Sequence, residues 1–214
     1  MTHATPRYPE PFPVELSNED VALAWAEAER TLAWHAVHGG RHHFHPSVVG
    51  LDELEVRANG YGGQLVVARA TGRRALLHSE DPLDWSNGDV SGGIEVRYAF
   101  TRRGEVLRIR PHEDRGKLHR PFALVLSRRP LPRSGAWTTS LAGWEYGIFP
   151  VSAGLPLHPR DERGPAFYAV PWFLLRSAAE LIAFGPEHDF DVPPTPTRDD
   201  WAGLGRAFDA AEPP

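Results

Sequence analysis

LDELEVRANGYGGQLVVARATGRRALLH, residues 51–78, is the stretch on which the fold class turns. Its first eight residues alternate: Leu54, Val56 and Ala58 share one face, while Glu53, Glu55 and Arg57 share the other. A period of two is the mark of a strand with one side covered. Asn59–Gly60 then opens a glycine-rich segment of the kind that turns a hairpin. QLVVAR follows, Thr71–Gly72 turns again, and RRALLH resumes. The stretch therefore predicts a β-meander.

The same alternation runs downstream. IEVRYAF places Ile94, Val96, Tyr98 and Phe100 inward, Arg102–Arg103–Gly104 turns the chain into EVLRIR, and FALVLS offers Phe122, Leu124 and Leu126. Further strands are expected in AWTTSL, WEYGIFPV and AFYAV. Upstream the period changes. Val21, Trp25, Ala28 and Leu32 recur at helical spacing, behind Ser17 as N-cap with Asp20 three residues on and ahead of Gly39–Gly40. Acids in the first turn and histidines in the last complement the helix dipole, which predicts a helix over 18–38. WFLLRSAAELIAFG, after Pro171, predicts a second helix ending at Gly185. The expected fold is α+β: an N-terminal helix, an antiparallel meander sheet of about seven to nine strands, a C-terminal helix and a Pro-rich tail. Residues 1–16 are an extended Pro-rich segment, 17–185 a single domain, and 186–214 an acidic Pro-rich tail with a short amphipathic helix around Trp201, Leu204 and Phe208.

Composition limits the chemistry. The 214 residues are 41% hydrophobic and 24% charged, ordinary values for a globular chain. No apolar run approaches a membrane span and the N-terminus lacks a signal-peptide pattern, so a cytoplasmic protein that avoids membranes is expected. Cysteine is absent, which excludes disulfides, thiolate nucleophiles and Cys-type zinc sites. Lys117 is the sole lysine. There is no GxSxG, SxxK, GxGxxG, GxxxxGK[ST] or HExxH, so serine hydrolysis, common nucleotide binding and zincin chemistry find no motif. The acidic stretch HSEDPLDWSNGD, with Glu80, Asp81, Asp84 and Asp89, misses the calcium-loop spacing and is accounted for by turn chemistry.

Two clusters carry more information. HAVHGGRHHFHP, residues 35–46, contains His35, His38, His42, His43 and His45. His35 and His38 are one helical turn apart, and His43 and His45 share one side of an extended segment. Two such pairs across a Gly-Gly turn can converge on zinc or iron, the cofactors this alternative would require. The plainer explanation is a helix C-terminus whose dipole favours histidine, followed by a polar loop with no metal.

The second cluster is basic. Between Arg97 and Arg133 there are eleven basic residues against three acids, in a chain of net charge −5. Arg97, Arg108, Arg110, Lys117 and Arg120 are the expected binding residues, with Arg97, Arg108 and Arg110 forming a ladder on a wet sheet face. Such a strip on an acidic protein points to an anionic partner. Single-strand nucleic-acid binders interleave such charges with exposed aromatics, whereas Tyr98, Phe100 and Phe122 read as inward-facing here. Glu145, beside Trp144, is the one acid of an apolar neighbourhood and the candidate catalytic acid or base if buried. The leading expectation is a macromolecule-binding protein, of the immunity or regulator kind, with a protein partner. A zinc- or iron-dependent hydrolase or oxygenase on the histidine cluster is the alternative, and a nucleic-acid binder the third.

Overall fold

The computed structural model describes residues 9–38, 51–77, 88–100, 106–110, 117–159 and 166–190. Helix α1 spans Asn18–His38. Its start is a capping box: Ser17 Oγ accepts from the Asp20 N–H at 3.2 Å, and the Ser17 N–H donates back to Asp20 Oδ2 at 3.1 Å. Val21, Ala24, Trp25 and Ala28 form its buried stripe.

Residues 53–71 are not two strands and a turn but one helix, α2 (Glu53–Thr71). The N-cap is Asp52, whose Oδ1 accepts from Glu55 N at 2.7 Å while Glu55 Oε2 accepts from Asp52 N at 3.0 Å. Glu53 pairs with Arg57 one turn on. Gly72, at φ 68°, closes the helix in the left-handed region that glycine tolerates best. The chain stays helical through three glycines because α2 lies between α1 and the sheet. Every residue from Tyr61 to Ala68 is buried. Packing on both sides offsets the roughly 1 kcal/mol that each helical glycine costs relative to alanine.

Four strands, β1 (Phe12–Leu16), β2 (Glu95–Phe100), β4 (Pro121–Ser127) and β5 (Trp137–Tyr146), form one sheet in the order β1-β5-β4-β2. The pairs β1–β5 and β5–β4 are antiparallel, whereas β2–β4 is parallel. A second, antiparallel sheet has the order β3-β7-β6, from β3 (Val106–Ile109), β7 (Phe167–Pro171) and β6 (Leu157–His158). Two short helices, α3 (Phe149–Ser152) and α4 (Ala178–Ala183), complete the described chain. The expected single antiparallel meander of about seven to nine strands is thus replaced, among the described residues, by seven strands divided between two sheets, one of which holds a parallel pair. The expected helix at 172–185 is a 3₁₀ turn, Trp172–Leu174, separated from α4 by Arg176, whose backbone exchanges two hydrogen bonds with Trp144.

These elements make three layers with two apolar interiors. Ala123, Val125, Leu141 and Trp144 face α1 and α2, while Phe122, Leu124, Leu126 and Ala142 face the small sheet. Strand β4 is buried at every position because both its faces are covered. Strand β5 carries a bulge: Leu124 opposes Gly143 but Val125 opposes Leu141. The extra residue shifts the alternation by one, so Leu141 and Trp144 share a face and Glu145 is turned to the side of Phe122. Phe190, beyond Gly185, is buried against Trp144.

Candidate functional site

Glu95, Phe122 and Glu145 occupy one row across β2, β4 and β5. Glu95 is 2% exposed and meets Lys117 and Arg120, each at 3.1 Å. Burial, reinforced by Asp89, pushes its carboxyl up against the pull of Lys117 and Arg97. The Arg97 guanidinium lies over the Phe122 ring, 4.9 Å from its centre. Three of the five expected binding residues therefore gather at one end of the large sheet. Their charge is turned inward, and Arg120 is itself buried. Removing one partner of such a cluster would leave a buried charge uncompensated, which makes it an architectural unit.

Arg108 and Arg110 lie elsewhere. Arg108 is on β3, stacked over Phe167 at 4.8 Å, and Arg110 follows that strand. Because β3 and β2 belong to different sheets, the ladder expected of Arg97, Arg108 and Arg110 does not form. Burial, then the like charge of Arg110, holds Arg108 below the usual arginine range.

Glu145 is 4% exposed. Burial raises its pKa, opposed by the Tyr146 N–H, which donates to Oε1 at 2.9 Å, and by Arg176, whose Nε lies 3.3 Å from the same oxygen. The carboxylate is thus engaged by two donors, and the Arg176 guanidinium also sits over Trp144 and Tyr146.

Of the histidines, His35 and His38 are described, and His42, His43 and His45 lie outside the described residues. His38 stacks on Trp34, with ring centres 4.4 Å apart, and its Nδ1 meets the Trp34 carbonyl at 2.9 Å. His35 packs edge-on against the same ring. Both sit where the last carbonyls of α1 favour a cation. Among the described residues no group of three or more histidines and carboxylates is placed to hold a metal ion. In the acidic loop, residues 78–87 lie outside the described residues. Asp89 accepts from Gln64 Nε2 at 2.9 Å and from the Val96 N–H at 2.7 Å, tying β2 to α2.

Three exposed arginines gather at the end of the basic strip. The β4–β5 connection, SRRPLPRSGA over residues 127–136, exposes Arg128, Arg129 and Arg133 while its backbone is anchored along its length. At its base Ser127 Oγ donates to the Arg129 carbonyl at 2.6 Å. In the middle, Leu131 is 3% exposed and its N–H donates to Asn59 Oδ1 of α2 at 2.8 Å. The carbonyl of Pro132 accepts from Trp25 Nε1 of α1 at 2.7 Å, and the Gly135 N–H donates to Asn18 Oδ1 at 2.6 Å. The Arg133 guanidinium lies 3.6 Å from the centre of the Trp25 ring. Gly62 makes the seat: a Cβ there would stand 3.2 Å from both Leu131 Cδ1 and Trp137 Cζ3. The glycines of ANGYGGQ thus serve a close approach between α2 and this loop. Sequence reasoning did not single out Arg128, Arg129 and Arg133, although Pro130, Pro132 and Gly135 mark a loop in which arginines stay outside.

Set against protein-family models, curated proteins and solved structures, the chain matches none. No described helix is long and apolar enough to cross a membrane.

Proposed function

We propose that this chain is a protein-binding module that presents the loop at 127–136 to an acidic surface of a partner. One observation carries this: three arginines are exposed on a backbone that both long helices already hold in place. Ordering a loop on binding costs free energy, and a loop fixed beforehand avoids that cost. Arginine is also a residue type enriched among those that dominate interface energies. A protein fits better than a nucleic acid. The nearest tryptophan, Trp25, is only 6% exposed and lies beneath Arg133, so it offers no face for base stacking.

The test is binding to poly-L-glutamate, and to a single-stranded oligothymidine, across a salt series. Wild type should bind polyglutamate in a salt-sensitive manner, and R128E/R129E should lose that binding while keeping its circular dichroism spectrum. Equal binding by the variant would refute the reading. Preferential, tight binding of oligothymidine would replace it with a nucleic-acid function.

A further inference from the structure

A second surface lies on the other flank of α1, independent of the arginine loop. After α2 the chain turns at Gly72 and runs extended through Ala75, which bridges antiparallel to Val90. The Arg74 carbonyl accepts from Ser91 N at 2.9 Å, and the Leu76 N–H donates to the Asp89 carbonyl at 3.0 Å. In an extended strand the intervening N–H and C=O, those of Ala75, point the opposite way. That edge borders a groove of about 250 Å³ between α1 and α2, with Leu23, Leu65, Ala75 and Leu77 among its apolar lining. Leu23 is 42% exposed there. The groove is open and smaller than the roughly 300–1,000 Å³ usual for small-molecule sites, which suits a short piece of chain better than a cofactor.

Among the described residues its lining holds three arginines, Arg69, Arg73 and Arg74, and one acid, Asp20, while Glu19 acts on Arg69 and Glu187 and Asp189 act on Arg73 from nearby. Asp20 is already engaged by Arg69 at 2.8 Å and by Ser17. The Arg73 guanidinium is fixed by the carbonyls of Ser91 and Gly185. Gly92, at φ 80°, leaves the space it fills, since a Cβ there would fall 2.0 Å from Nη1.

We propose that this groove takes an extended acidic segment of a partner protein, added as a strand along the Ala75 edge with one apolar side chain resting on Leu23 and Leu77. Strand addition draws affinity from main-chain hydrogen bonds and specificity from alternate side chains. The surplus of arginine selects acidic residues at the intervening positions.

The probe is a fluorescein-labelled heptapeptide of alternating glutamate and valine, titrated into the full chain and followed by anisotropy. Saturable binding is expected, weakened about tenfold or more by R74E and by L23D, both at exposed positions. A peptide N-methylated on the amides of one edge should bind as poorly. The R128E/R129E variant should bind the peptide as wild type does, so failure of the loop and failure of the groove are separable. Four results would overturn the proposal. They are no saturable binding, equal binding of a lysine–valine peptide, indifference to both groove variants or to N-methylation, and loss of binding in R128E/R129E alone.

Discussion

The two long helices pack against each other, with α2 between α1 and the sheet, yet their sequences speak differently. In α1 the buried residues form one stripe and the rest of the surface is mostly polar, with Leu23 and Val37 as exposed exceptions, so the helical period is visible. In α2 the run Tyr61–Ala68 is buried all round, and no polar face remains to mark the period. The same difference has a structural use. Helix α1 grips the arginine loop with side chains, through Trp25 and Asn18. Helix α2 grips it by having almost none, through the notch at Gly62 and the amide of Asn59. A helix that must admit another backbone needs glycine at the contact, and glycine is what disguises it as a turn.

Substitutions separate the roles of the two helices. The largest effect is expected for Gly62→Leu, which forces a side chain into space held by Leu131 and Trp137; a loss of about 3 kcal/mol should appear in urea denaturation. If stability were unchanged, Gly62 would not be a packing residue. Asn59→Ala should cost about 2 kcal/mol, because it leaves the buried Leu131 N–H without its acceptor, and it should weaken polyglutamate binding in parallel.

Asp20→Asn tests the start of α1 and its tie to α2, with an expected loss of about 1 kcal/mol at neutral pH. Burial acts to raise the pKa of Asp20, but the bonds from Arg69 and Ser17 outweigh it, and the net direction is down. A carboxyl whose folded pKa lies below its unfolded value stabilises the fold above the unfolded pKa, near 4. That stability is lost as pH falls through the folded pKa, so the gap between wild type and Asp20→Asn should close in acid. A gap constant down to about pH 2 would contradict the assignment. The smallest effect, and of opposite sign, belongs to Gly60→Ala. A Cβ there meets nothing within 4 Å, so the variant should gain about 0.5–1 kcal/mol if residue 60 is helical. Were residue 60 in a left-handed turn, the same change would destabilise.

Much of this was legible. Helix α1 follows from Ser17, Asp20 and its apolar spacing, and the inward face of Val96 follows from alternation, whereas β4 is buried on both faces and alternation does not separate Phe122 from Ala123. Helix α2 also carried its signals, Asp52 with Glu55 as a capping box and Gly72 as the stop. Asn59–Gly60, Gly62–Gly63 and Val66–Val67 outweigh them locally, because propensity acts over a few residues whereas burial between two layers is a tertiary effect. The basic strip was visible as composition. Which of its arginines are consumed was not, because the partner of Arg120 is Glu95, 25 residues away and brought close only by the packing of β2 against β4. His35 and His38 were legible as a helix end, where the described structure places them.

The most direct test of the central claim is amide hydrogen exchange at Leu131, measured together with residues 56–71. If α2 is a continuous buried helix whose notch seats the arginine loop, the Leu131 amide should exchange as slowly as the middle of α2. It should also become fast in Asn59→Ala while residues 64–68 stay protected. Rapid exchange at Leu131 in the wild type, or unprotected amides at 62–68, would contradict it.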